Sequence, residues 1–194
     1  MKYGTIVADP PWPYPSPGKI GATLTHRPNR DRTANAGNAG SGCRYGSMTV
    51  SEICAIGPAA EDNAHLYLWT TNAFVEDAHR VAREWGFRPV TLCTWGKVKP
   101  DGRPSMKMGH YFRGATEHVV FGVRGSLPLT TSDAIPTLWL WPRLPHSVKP
   151  DAFYDLVEQV SPGPYLELFA RRQRFGWDTW GNEARCDVEM VATP

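Results

Sequence analysis

The chain has 194 residues, with 21 Lys+Arg against 19 Asp+Glu and a formal net charge of +2. That length holds one domain with a sizeable core and leaves little room for a second. The composition, 41% hydrophobic and 21% charged, excludes a disordered chain, and 18 Gly and 18 Pro without a repeat exclude a collagen-like one.

Thr5-Ile6-Val7-Ala8 is a short apolar, β-branched run that meets Asp9-Pro10-Pro11-Trp12, and two prolines cannot continue a ladder, so a buried strand stops at Asp9. From residue 13 to residue 42 the chain turns to Pro, Gly, Ser, Asn and Thr, with Arg27, Arg30 and Arg32 at its middle. Such a stretch is a loop too long for a compact domain to carry without functional cause, and it is expected to be mobile. His65 to Thr70 reads as a strand, and Phe74, Ala78, Val81, Ala82 and Trp85 then recur at helical spacing until Gly86 stops them. Pro89–Trp95 and Glu117–Val123 are β-rich, and between them a second loop, 96–114, carries Lys97, Lys99, Arg103, Lys107 and Arg113. Pro150 opens a helix with Phe153, Leu156, Val157 and Val160 on one face, and Tyr165–Phe169 is a last strand. Strands alternating with helices predict a single α/β domain, a sandwich around a mostly parallel sheet.

No apolar run approaches the roughly 20 residues that span a bilayer, and Met1-Lys2-Tyr3-Gly4 runs straight into a strand, so a cytoplasmic protein is expected. The four cysteines show no metal-type spacing, which predicts reduced thiols and no structural metal. Eight tryptophans fit either a packed core or a site that stacks on flat ligands.

In an open α/β sheet, ligands bind beyond the carboxyl ends of the strands, where Asp9-Pro10-Pro11-Trp12 lies. An ionised carboxylate accepts hydrogen bonds, a proline carbonyl has a direction fixed by its ring, and Trp12 offers an aromatic face. Together they suit a planar ring with an exocyclic amine: Asp9 and the Pro10 carbonyl receive the two N–H groups while Trp12 stacks on the ring. Adenine is the natural occupant. A carboxylate with a reference pKa near 4 cannot deprotonate such an amine beforehand. It can orient the nitrogen lone pair and stabilise the positive charge that grows during attack on an electrophile, so alkyl transfer is the reaction this suits.

The tetrad, followed in order by Tyr45-Gly46-Ser47-Met48, Leu66-Tyr67-Leu68-Trp69, Thr94-Trp95-Gly96-Lys97, Gly109-His110-Tyr111, Glu117-His118, His146-Ser147-Val148-Lys149-Pro150, Glu167-Leu168-Phe169-Ala170-Arg171 and Trp180-Gly181-Asn182-Glu183, resembles the MT-A70 family. Its members are S-adenosylmethionine-dependent adenine-N6 methyltransferases. The resemblance covers nearly the whole chain. It implies one catalytic domain over 1–194, a three-layer, Rossmann-like α/β/α sandwich in which the catalytic motif precedes the cofactor motif.

The same resemblance implies the site. Asp9, Pro10, Pro11 and Trp12 are similar to the catalytic tetrad. Asp9, Lys149, Phe169, Arg171, Asn182 and Glu183 are similar to the S-adenosylmethionine-binding residues. Lys149 meets the methionyl carboxylate there, and Arg171, Asn182 and Glu183 lie around the ribose. Trp12, Tyr45 and Glu117 are similar to residues on the substrate side, and Arg27, Arg30 and Arg32 are assigned to phosphates from their place in the first loop. His118 is read as a support of its strand. The implied partner is nucleic acid. DNA is preferred, with an RNA methyltransferase or a non-catalytic nucleic-acid-binding subunit as the competing readings, and a homodimer or a pairing with a related subunit is compatible with the resemblance.

Overall fold

The computed structural model describes residues 1–14, 46–107, 111–145 and 148–189. At its centre is β1 (Tyr3–Ala8), in which every residue is buried. It lies parallel to β2 (Ala60–Thr70) on one side and to β6 (Tyr165–Leu168) on the other. With β3 (Arg88–Val98), β4 (Thr116–Arg124), β5 (Leu138–Pro142) and β7 (Trp177–Trp180), these form a seven-stranded sheet ordered β5-β3-β4-β2-β1-β6-β7. Only β4 is antiparallel to its neighbours, β2 and β3. The sheet is therefore mostly parallel, as expected.

Alternation along the strands divides the core in two. Ile6, Ala8, Leu66, Leu68, Leu166 and Leu168 face α1 (Val50–Ile56) and α2 (Val75–Glu84), where Ile53, Ala78, Val81 and Ala82 close over them. Val7, Tyr67, Trp69, Trp95 and Trp139 face the opposite way, onto Phe153, Tyr154, Val157 and Val160 of α3 (Asp151–Val160). Helices on both faces make the three-layer α/β/α sandwich. Most of the tryptophans are core: Trp69, Trp85, Trp95, Trp139 and Trp177 are buried.

Local chemistry sets the helix boundaries. α2 ends where Trp85 donates its indole N–H to the Ile53 carbonyl at 3.0 Å, joining the two helices of that face, and Gly86 takes the left-handed φ of 79° that a side chain would oppose. α1 was not expected, yet it starts on a capping box in which the Thr49 hydroxyl accepts from the Glu52 N–H and the Glu52 carboxylate accepts from the Thr49 N–H. β5 and β7 were likewise not anticipated. Cys54 and Cys93 are free thiols as expected, but Cys186 is disulfide-bonded, which corrects the reduced reading there. Among the described residues no helix is long and apolar enough to cross a membrane.

Candidate active site

The parallel strands β1, β2 and β6 deliver three loops to one edge of the sheet: Asp9 to Trp12, Thr70 to Ala73, and Phe169 to Arg171. They surround a cavity of about 900 Å³, within the range of small-molecule sites. Backbone bonds hold the tetrad against its neighbours. The Asp9 N–H donates to the Leu168 carbonyl at 3.3 Å, and the Pro11 carbonyl accepts from the Met48 N–H at 3.1 Å. The Pro10 carbonyl accepts from the Trp12 N–H at 2.9 Å and so keeps one lone pair for a ligand.

Four charges meet in the cavity wall. The Lys149 ammonium lies 3.0 Å from Asp9 Oδ2, 2.9 Å from Glu117 Oε2 and 4.7 Å from the centre of the Trp69 ring, with its side chain only 10% exposed. Lys97 donates to the other oxygen of Glu117 and sits 4.4 Å from the centre of the Trp95 ring. Burial alone would discharge Lys149, but the two carboxylates outweigh it and raise its pKa, so the amine stays protonated at neutral pH. Burial also pushes Glu117 up, and the attraction and hydrogen bonds of Lys149 and Lys97 reverse that, holding it below its ordinary value. For Lys97 burial prevails over Glu117, and its pKa is lowered.

These contacts refine the expected roles. Both Glu117 oxygens are occupied by lysines, so Glu117 acts on the site through them rather than as an open acceptor for substrate. Asp9 pairs with Lys149 through Oδ2, which leaves Oδ1 for an incoming N–H. Trp12 is only 5% exposed: its ring stacks on Phe74 at 5.5 Å and its indole N–H donates to the Trp69 carbonyl at 3.1 Å. Trp12 is a fixed wall of the cavity, because burying the ring on Phe74 and satisfying its N–H is the better outlet for so large an apolar surface.

On the other side of the cavity lie Phe169, Arg171, Asn182 and Glu183, all in its lining as expected. Phe169 turns the chain after β6 with a φ of 63°, a left-handed conformation rare for a side-chain-bearing residue. The buried ring, edge-on to Trp180 at 5.3 Å, holds that turn in place. The loop after β7 crosses so close that a Cβ on Gly181 would stand 2.0 Å from the Ala170 carbonyl oxygen, so this position admits only glycine. Arg171 and Glu183 form a 3.1 Å ion pair at the mouth, with side chains 51% and 59% exposed.

This donor set fits S-adenosylmethionine. A protonated lysine suits a methionyl carboxylate, and Glu183 and Asn182 suit ribose hydroxyls.

Sequence reading missed several cavity residues. Lys97 counted only as one charge of a basic loop, although it is buried inside the cluster. Asn72, Thr71 and Tyr14 also line the cavity. Asn72 Oδ1 lies 2.7 Å from His118 Nε2, and His118 Nδ1 lies 3.0 Å from the Thr94 hydroxyl, so His118 braces two strands and a loop, in keeping with its expected supporting role. The position immediately after a strand was a usable signal for Thr71 and Asn72. Tyr45, Arg27, Arg30 and Arg32, with most of the 13–42 loop, lie outside the described residues.

Residues 3–183 match the family model described as MT-A70. Relatives include the Type II methyltransferase M.MunI of a Mycoplasma species, 27% identical over 94% of this chain and 78% of that protein. The human N(6)-adenosine-methyltransferase catalytic subunit METTL3 is 26% identical over 94% of this chain and 28% of its own length. The N6-methyladenosine RNA methyltransferase MTA1 of Cryphonectria parasitica is 29% identical over 93% of this chain and 51% of its own. The chain spans about a quarter of the length of its plant and animal relatives.

Proposed function

Because the chain belongs to the MT-A70 family, we propose that it transfers a methyl group from S-adenosylmethionine to the N6 amine of adenine in nucleic acid. The observation that carries this reading is the Asp9 carboxylate, held by Lys149 through one oxygen at the end of β1 and open to the cavity through the other. DNA is the preferred substrate, favoured by the relative named a Type II methyltransferase; RNA is the alternative, favoured by the relatives named N(6)-adenosine-methyltransferases.

S-adenosylmethionine supplies an electrophilic methyl group on a sulfonium. The chain's own residues prepare the amine. Asp9 Oδ1 accepts one N6–H, and the free lone pair of the Pro10 carbonyl accepts the other. These two bonds turn the nitrogen lone pair away from both acceptors, along the third direction. As positive charge grows on the nitrogen, the Asp9 carboxylate stabilises it in a water-poor cavity, where one fixed charge matters more than in bulk solvent. Lys149 and Lys97 keep Glu117 ionised beside it, so the second carboxylate of the cavity wall is paired at both its oxygens. The surplus proton departs to water after transfer.

A target adenine within a duplex is out of reach, so the enzyme acts on single strands or on a base turned out of the stack. Arg27, Arg30 and Arg32 engage the phosphates in this reading, and replacing them with glutamine flattens the salt dependence of binding. Two copies, or this chain and a related subunit, pair in the same reading. The test is incubation with isotopically labelled cofactor and matched single-stranded DNA, duplex DNA and RNA, followed by nucleoside mass spectrometry. Labelled N6-methyladenine from DNA supports the reading, product from RNA alone transfers it to the alternative, and no labelled adenine from any strand overturns it.

A further inference from the structure

The rim of the cavity carries a feature that the methyl-transfer reading does not use. Phe112 is 92% exposed and Tyr111 is 84% exposed, side by side in the loop between β3 and β4, and Phe112 lines the cavity mouth. Neither ring contributes to the core. Their exposure is not the fraying of a loose end, because the base of the loop is stitched down. The Lys97 N–H donates to the Ala115 carbonyl at 2.8 Å, the Ser105 N–H to the Lys97 carbonyl at 2.7 Å, and the Lys107 N–H to the Gly114 carbonyl at 2.8 Å. The base of the loop is thus pinned, and the Phe112 ring stands out in water beside the site.

The charges around them select the occupant. Lys107 lines the same mouth, and Lys99, Arg103 and Arg113 belong to the same loop. Of these, only Arg103 has an ion-pair partner among the described residues, Asp101. Exposed aromatics set among cations are how proteins hold unpaired bases: every base has a π face for the ring, and each phosphate has a cation. Drawing an adenine into the cavity also strips its neighbour of one stacking partner. A ring at the mouth is placed to replace it.

We propose that Phe112 stacks on the base next to the target adenine in the nucleic-acid strand, with Lys107 beside the intervening phosphate and Tyr111 extending the platform outward. This rests on the adenine-methylation reading and adds the subsite for the flanking nucleotide, outside the cavity whose wall Trp12 forms.

The test measures binding of labelled single-stranded oligonucleotides carrying one adenine, with the bases on either side replaced in turn by abasic sites. For the wild-type chain, one flanking abasic site weakens binding about tenfold, the size expected of one base on one ring. Phe112→Ala weakens binding to the intact strand by about the same factor, and the abasic site then adds no further loss. Phe112→Trp restores affinity. Cofactor binding by calorimetry is unchanged in both variants, since truncating so exposed a ring leaves no cavity in the core. Unchanged affinity in Phe112→Ala, or losses from variant and abasic site that simply multiply, overturns the proposal. So does loss of self-association in Phe112→Ala with nucleic-acid binding intact, which reassigns the ring to a protein contact. Absence of adenine methylation by the wild-type chain on every strand fails the underlying reading instead, and is scored separately by nucleoside mass spectrometry.

Discussion

Asp9, Lys149, Glu117 and Lys97 on one side of the cavity, and Arg171 with Glu183 on the other, are both sets of opposite charges lining the same space, yet they are built differently. In the first, the side chains are between 8% and 24% exposed, each carboxylate is shared or doubly paired, and the partners come from four distant parts of the chain. In the second, the two side chains stand twelve residues apart and are more than half exposed. Buried charges are expensive to leave unpaired, so the first set acts as a unit in which each charge has an opposite partner. The exposed pair gains little from its own contact and can exchange partners with a ligand at small cost.

Replacing Lys149 with methionine is the severest break, because it strands the Asp9 carboxylate in the cavity wall and leaves Glu117 with Lys97 alone. Stability falls by about 3–5 kcal/mol, read as a lower urea midpoint with unchanged slope; a loss below about 1 kcal/mol would mean that water screens the cluster as it does an exposed ion pair. A smaller effect separates the two glutamates. Glu167, on the α3 face of β6, accepts a 2.5 Å hydrogen bond from the Tyr154 hydroxyl, and burial raises its pKa to about 7. Its folded value therefore lies above its unfolded one, so it favours folding below about pH 4.5 and loses that contribution as pH rises to about 7. Glu117 has the opposite sign, its depressed pKa giving stability that disappears as acid protonates it. Glu167→Gln abolishes the decline between about pH 5 and about pH 8, a difference on the order of a few kcal/mol. A wild-type-like decline in the variant contradicts the buried placement of Glu167. The smallest effect is at the mouth, where Arg171→Ala changes stability by less than about 1 kcal/mol while weakening cofactor binding measured by calorimetry. Equal loss of stability from Arg171→Ala and Lys149→Met would erase the distinction between the two sets.

Much of this arrangement was legible in the sequence, for reasons that are physical. β1 stops at Asp9 because Pro10 and Pro11 cannot extend it, and that termination alone places a carboxylate at the ligand-binding edge. α2 and α3 show their buried faces in their spacing. α1 left a signal in Thr49 and Glu52 that a search for capping boxes would have found, whereas β5 and β7 are runs of five and four residues whose apolar alternation is too short to stand out. The direction of β4 left no signal, since strand polarity depends on neighbours. The charged cluster was only half visible: Asp9, Glu117 and Lys149 were named, but their contact with one another and with Lys97 is a product of tertiary structure. Trp12 was visible beside the acid, but its packing on Phe74, brought in by the loop after β2, is likewise a product of tertiary structure.

The account stands most directly on Asp9. Asp9→Asn preserves the shape of the side chain, removes its charge, and leaves Lys149 with Glu117 as a partner. Nucleoside mass spectrometry of an adenine-containing oligonucleotide, alongside calorimetric titration with S-adenosylmethionine, is predicted to show N6-methyladenine formation reduced about 10²–10³-fold with cofactor affinity retained. Wild-type rates of N6-methyladenine formation in Asp9→Asn would contradict the assignment of transition-state stabilisation to this carboxylate.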